Sequence, residues 1–559
     1  MVADPGRANG TTVAADVRER PPALAIVGAG PAGLAAAVVA AEAGIAVTVL
    51  DSAASIGGQF YRQPARGLNA RRPQALHHAW RNWTSLRARF VDHASAGRIS
   101  HLAEHHVWFV ERSNVDGDGR GGGDDDGQRR GDFVVYALTG PEQRTSISVH
   151  ADALLLATGS YERVLPFPGW TLPGVVTAGG AQAMLKGTLV LPGRDIVVAG
   201  TGPLLLPVAT GLADAGARVR ALIESADARA LIRSAPTLVT HPDKLGEAAG
   251  YAVRLARHRV PIHYRHTVIA AHGTKRVEAV TVAALDRDGH VRAGSPRRIA
   301  CDSLAIGHGL LPHLDLALSL GARIGNGGVT AVWVDDEQRT DVPGLWAAGE
   351  STGIGGAALA QVEGQIAGRS IAARLRGTAA GSTPGTRAGD PSVHVNVDGL
   401  AHARDRMRAF FAAIDKVYTP PETWVRNLTD DTTVCRCEEV PVSAVREAVR
   451  ELGAGDLRTV KLLTRAGMGW CQGRVCGPAV AGLLADCRRA PDSDQNTDTK
   501  VRESASEAAL SRRPFARPVP LGVLARLVTG PDDGGRARDP RRDENQDQSH
   551  IPERGPTDV

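Results

Sequence analysis

Four of the six cysteines in this 559-residue chain stand in two tight pairs. Cys435 and Cys437 lie in "VCRCEEVPVS"; Cys471 and Cys476 lie in "GWCQGRVCGP". Thiolates are soft ligands, suited to iron–sulfur clusters and to zinc. Each pair is nearly assembled before folding, which lowers the cost of closing the loop between them. One tetrahedral zinc favours C-x2–4-C knuckles, and C-x-C is tight for it. A 2Fe–2S cluster spreads four ligands over two metals instead. The C-x4-C pair alone has the form of a redox disulfide, but that reading leaves Cys435 and Cys437 without a role. Cys301 and Cys487 are isolated and read as ordinary thiols.

A second constellation lies near the N-terminus, in "ALAIVGAGPAGLAAAVVAAEAGIAVTVLD". Gly28, Gly30 and Gly33 form G-x-G-x-x-G between an apolar strand and an Ala-rich helix. Gly28 allows the tight turn, Gly30 leaves room for a pyrophosphate, and Gly33 lets helix pack on strand. Asp51 ends the next strand, where a carboxylate can bind both ribose hydroxyls. A similar unit follows in "RDIVVAGTGPLLLPVATGLADAGARVRALIE". Gly200, Gly202 and Glu224 repeat the pattern, but Leu205 occupies the third glycine position. A leucine there pushes the helix off the strand or demands another crossing. NAD, another adenine nucleotide, or a vestigial site all remain open for this second unit.

The elements that must position these groups follow from length and composition. A chain this long calls for two or more domains. The net charge of +5 comes from nearly balanced acids and bases with no basic stripe, which argues against nucleic-acid binding. No apolar run is long enough to span a bilayer, and the polar start has no signal-peptide core, so a cytoplasmic location is expected. The expected fold is α/β: two Rossmann-like dinucleotide-binding domains and a small helical cysteine domain. The expected division is a disordered tail at 1–22, a first nucleotide domain at 23–190 and 300–377, and a second at 191–299. A linker at 378–398, a connecting segment at 399–429, the cysteine domain at 430–490 and a docking segment with a tail at 491–559 complete it. The Gly/Asp-rich stretch within 99–150 reads as a solvated loop. In the cysteine domain, Val445, Ala448, Val449 and Leu452 have helical spacing, with Ser443 as candidate N-cap and Pro478 starting a later helix.

Further stretches carry resemblances. "LLLATGS", with Thr158 and Gly159, and "GLWAAGE", with Gly349 and Glu350, resemble the two distal fingerprints of glutathione-reductase-like flavoproteins. "IGGQFYR", with Gly58 and Gln59, is similar to the loop that runs toward the flavin. The resemblance implies FAD at the first unit, with Glu350 in the place where Asp is commoner. "TRAGMGWCQGRVCGP" resembles the bacterioferritin-associated-ferredoxin-like domain, which implies a 2Fe–2S cluster on Cys435, Cys437, Cys471 and Cys476. With "GTGPLLLPVA", "GIGGAALAQVEGQIAG" and "RPVPLG", the chain resembles the alpha (A) subunits of heteromeric amino-acid and opine dehydrogenases. That resemblance implies a beta subunit of D-amino-acid-oxidase type as partner and an electron-transfer role for this chain. A self-sufficient NAD(P)H:acceptor reductase is the competing expectation. No catalytic triad or metalloprotease motif is present. The clusters at His77–His78 and His105–His106 read as surface histidines. His308 is placed near the flavin by the resemblance, and Lys461 and Arg465 are candidate cations beside the cluster.

Overall fold

The computed structural model describes residues 22–77, 79–112, 132–227, 229, 241–326, 329–379, 398–488 and 513–528. The N-terminal tail, the Gly/Asp-rich stretch, His78 and nearly all of the 378–398 linker lie outside the described residues.

The strand Ala23–Val27 pairs in parallel with Ala46–Asp51 on one side and Ala153–Leu156 on the other. Ile99–Ala103 and Leu345–Ala347 complete a five-stranded parallel sheet, with Leu345–Ala347 at one edge and Ile99–Ala103 at the other. A parallel sheet is covered on both faces, which is why its inner strands read as unbroken apolar runs. The helix Pro31–Glu42 covers one face, and the helix Gly356–Ala379 packs on it through Ala32, Ala36, Gly364 and Gly368. Small residues on both helices permit that close approach. A three-stranded antiparallel sheet, His105–Arg112, Phe133–Thr139 and Thr145–Ala151, covers the other face.

The second unit repeats this plan. Its parallel sheet runs Ile262–Tyr264, Arg218–Glu224, Asp195–Gly200, Ser303–Gly307, Val175–Thr177. It too carries an antiparallel meander, His266–His272, Ala279–Ala284 and Arg297–Ala300. Val175–Thr177 and Ser303–Gly307 belong to this sheet, so it overruns the 190/191 and 299/300 boundaries expected from sequence. Val175–Thr177 is three residues long and half-buried, too short to show a period.

The cysteine domain has its own core, built from Val425 and Leu428 through Leu484. Its helices are Val442–Arg450, Leu457–Thr464 and Gly477–Arg488. Val445 and Ala448 face that core, but Leu452 lies past the helix end and is exposed. Ser443 is not the N-cap. The short strand Val440–Pro441 pairs with Thr433–Cys435 and makes Pro441 the cap, while the Ser443 N–H donates to the Asp430 carbonyl. Pro478 sits in the first turn of its helix as expected. Residues 513–528 return to the first unit: the Ala516 N–H donates to the Trp108 carbonyl, and Phe515 packs edge-on against Trp108. Among the described residues no helix is long and apolar enough to cross a membrane.

Candidate cofactor site

Gly33 lies beneath the first loop. A Cβ there would come within 1.9 Å of the Gly28 carbonyl oxygen, so any side chain would lift the helix from the strand. Gly30 is the opposite case: a Cβ would meet nothing within 4 Å, and the residue faces a cavity. The helix begins at Pro31 with no side chain capping it. Its first N–H groups and positive dipole end are therefore open to an anion, and the space above Gly30 fits a pyrophosphate. Asp51 braces the loop while lining the same cavity. Its carboxylate accepts the Ala29 N–H at 2.5 Å and the Ala53 N–H at 2.7 Å, and burial raises its pKa.

The remaining flavin candidates gather on this cavity, which has a volume of about 2090 Å³. Gly58 seats its loop against Gly30, and Gln59 accepts two N–H bonds from Arg62. Thr158 donates to the His313 carbonyl at 3.1 Å, and Gly159 accepts the His313 N–H at 3.0 Å. Glu350 accepts a hydrogen bond from Ser160 at 2.5 Å, and burial raises its pKa. Gly349 is held by a residue that the sequence did not reveal. Glu363, fully buried, accepts the Gly349 N–H at 2.8 Å and pairs with Arg408 at 2.6 Å. Arg408 also donates to Thr352, which ties the helix Asp398–Val417 to the flavin fingerprint. Lys186 was missed as well. It donates to the Phe60 carbonyl from a buried position that lowers its pKa to about 8. Nothing in "AMLKG" distinguishes it from a surface lysine.

The histidines depart from expectation. His77, His105 and His106 line the cavity instead of standing on the open surface. Burial lowers the His77 pKa to about 4. His308 also lines the cavity, but its hydrogen bond runs to Thr201 in the second glycine loop, and burial likewise lowers its pKa to about 4.

At the second unit, Gly202 borders the cavity and has open space where a Cβ would stand. Leu205 is buried and starts the helix, so the turn from Thr201 to Leu204 intervenes between loop and helix. Gly200 packs directly on Gly307. Glu224 is only 3 % exposed and is not on the cavity wall. Its oxygens accept the Gly202 and Ala226 N–H groups, and burial pushes its pKa up to about 7. Phe410, Phe411, Ile414 and Tyr418 from the connecting segment wall this end of the cavity.

The structure brings the four paired cysteines together. The four thiols meet as hydrogen-bonded neighbours, Cys435 with Cys476, Cys476 with Cys471 and Cys471 with Cys437. Hydrogen bonds, foremost from Cys476, pull the Cys435 and Cys471 thiols below the ordinary thiol range. Gly469 makes this approach possible, because a Cβ there would lie 2.1 Å from the Cys437 Cβ. Arg465 is largely exposed and pairs with Glu438, the residue that follows Cys437. Arg474 stands within the second pair, donating to the Cys471 carbonyl at 3.1 Å. Cys301 is buried, with its pKa raised to about 11, and Cys487 stands apart, as expected of ordinary thiols.

Residues 22–365 match the pyridine nucleotide-disulphide oxidoreductase family. The chain belongs to that family. Residues 433–486 match the BFD-like [2Fe-2S] binding domain. Together they make the chain an FAD-dependent oxidoreductase with a 2Fe–2S domain, and the residues above fit both groups. The opine oxidase A subunit from Agrobacterium tumefaciens (strain Ach5) is 32 % identical over 484 residues, covering 85 % of this chain and 88 % of the relative. The HcnB subunit of hydrogen cyanide synthase from Pseudomonas aeruginosa is 32 % identical over 459 residues, covering 81 % of this chain and 90 % of the relative. The crystal structure of L-proline dehydrogenase from P. horikoshii shares the fold, with a TM-score of 0.56 at 18 % identity over 91 % of this chain and 81 % of that one.

Proposed function

We propose that this chain is the electron-relaying subunit of a heteromeric amino-acid or opine dehydrogenase. On this reading a partner of D-amino-acid-oxidase type oxidises the amine. Bound FAD handles electrons in pairs and a 2Fe–2S cluster handles them singly. The observation that carries the reading is continuity. One cavity is lined by Gly30, Asp51, Gly159 and Glu350 and also by Cys471 and Arg474. The relatives named as oxidase and synthase subunits support the partner.

Within the site the chain's own groups do three things. Gly28, Gly30, Gly33 and the open helix end hold a dinucleotide, with Asp51 turned to its ribose. Glu350 and Ser160 close the ribityl end. Cys435, Cys437, Cys471 and Cys476 hold iron beside the same cavity. A 2Fe–2S cluster on these four cysteines would supply one-electron chemistry beside a flavin that would take electrons in pairs, and an external acceptor would take them one at a time.

The competing reading, a self-sufficient NAD(P)H reductase, meets an obstacle at the second unit. A ribose-selecting acid has to reach its ligand, yet Glu224 is buried behind the cavity wall, whereas Asp51 lines the cavity. The experiment is affinity purification of the tagged chain from its native host without oxygen, then an amine screen. The complex should oxidise an amino acid or opine, while the lone chain carries flavin and iron and oxidises none. Amine oxidation by the lone chain, or rapid bleaching of its flavin by NADH, would refute the reading.

A further inference from the structure

A buried carboxylate ties the cysteine loop to the flavin unit, while Val475 of the same loop packs on the core of the second unit. Asp315 lies in the short helix Asp315–Ser319, just beyond His313, and is 6 % exposed. Its Oδ2 accepts two N–H bonds from Arg474, at 2.9 and 2.7 Å. Its Oδ1 accepts a bond from Arg513, and His313 Nε2 lies 3.1 Å from Oδ2. Arg474 also donates to the carbonyls of Cys471 and Ala516. Three separate stretches thus converge on Asp315: the flavin unit, the loop between Cys471 and Cys476, and the returning segment at 513–516.

We propose that Asp315 is a positioning residue that latches the cysteine loop onto the flavin unit; the inference rests on the relay reading above. The route is short. Thr158 and Gly159 bond the main chain of His313, Asp315 follows two residues on, and Arg474 joins Asp315 to the Cys471 carbonyl. A forked guanidinium on a carboxylate fixes orientation as well as distance, which a lysine in that place would not. Removing one partner of a buried pair leaves the other charge unpaired and opens the joint. The bond between Trp170 and the Thr433 carbonyl, at 2.6 Å, holds the cysteine domain elsewhere, so breaking the latch frees the loop and not the whole domain. One carboxylate also faces two arginines, which leaves surplus positive charge beside Cys471.

The test uses the full chain purified anaerobically with both cofactors. Asp315→Asn should retain flavin and iron but raise amide hydrogen exchange across residues 471–477 by roughly tenfold or more. The cluster's midpoint potential should rise, because a negative charge beside it is gone. Electron transfer from photoreduced flavin to cluster should nevertheless slow by roughly tenfold to a hundredfold, since the joint is misplaced. Asp315→Glu, which keeps the charge, should hold the parental potential and recover much of the rate. Should Asp315→Asn not fold, Arg474→Lys carries the same expectation for exchange and rate with no change in potential. A cofactor-replete variant with parental exchange at 471–477 and a parental transfer rate overturns the proposal. If the parent itself passes no electron while 471–477 still loosens in the variant, the latch stands and the relay reading falls.

Discussion

In the first dinucleotide unit the helix starts at Pro31, one residue after Gly30; in the second it starts at Leu205, after an intervening turn. Both units have a five-stranded parallel sheet and a three-stranded antiparallel meander, and within that plan only the source of one edge strand differs: Leu345–Ala347 follows its unit, whereas Val175–Thr177 precedes its own. They differ where a ligand would bind. Gly33 lets the first helix bear directly on the loop, so its open N–H groups face the phosphate position. Leu205 instead fills the core of the second unit and sets its helix back. Both acids accept two backbone N–H groups, but Asp51 is half-buried and borders the cavity, whereas Glu224 is buried behind its wall. A repeated scaffold thus keeps its packing while its binding chemistry diverges.

The sharpest way to break this contrast is to give the first unit the second unit's residue. Gly33→Leu forces a side chain into the Gly28 carbonyl and costs about 3 kcal/mol in overpacking, the upper end of the usual range. The purified variant should carry almost no flavin by visible absorbance and still hold iron. The reverse change, Leu205→Gly, removes a buried side chain and adds a helix glycine, at about 3–5 kcal/mol. It should lower the melting temperature without making the flavin reducible by NADH. Next in size is Asp51→Asn. Loss of its charged hydrogen bonds should weaken FAD binding by roughly tenfold to a hundredfold, read as flavin release on dilution.

The smallest effect is in pH dependence. Glu224 holds its proton to about pH 7 in the folded chain because burial disfavours the charge. The folded state binds that proton more tightly than the unfolded chain. Its stabilising contribution is therefore full below the unfolded pKa and is lost as pH rises through about 7. Glu224→Gln should flatten the fall in melting temperature between about pH 5 and pH 8 and leave flavin content unchanged.

What was legible in the sequence was local. Gly28, Gly30, Gly33 and Asp51 fall within one β-α-β unit, and each cysteine pair sits within a few residues, so spacing alone disclosed them. Leu205 announced the altered second helix for the same reason. Glu363, Ser160 and Asp315 were invisible because their meaning comes from partners far along the chain: Gly349 and Arg408, Glu350, and Arg474 with Arg513. Ser443 misled because N-cap preference is a weak local signal, and strand pairing up to Pro441 overrode it. Arg465 had a reasonable position, and in the fold it pairs with Glu438, the residue that follows Cys437.

The central claim is that the flavin and the cysteine-bound cluster exchange electrons within this one chain. The direct measurement is anaerobic photoreduction of the flavin in the purified chain, with the cluster followed by electron paramagnetic resonance. The signal of the reduced cluster should grow as the absorbance of oxidised flavin returns. A flavin that stays reduced beside a cluster that stays silent would contradict the account.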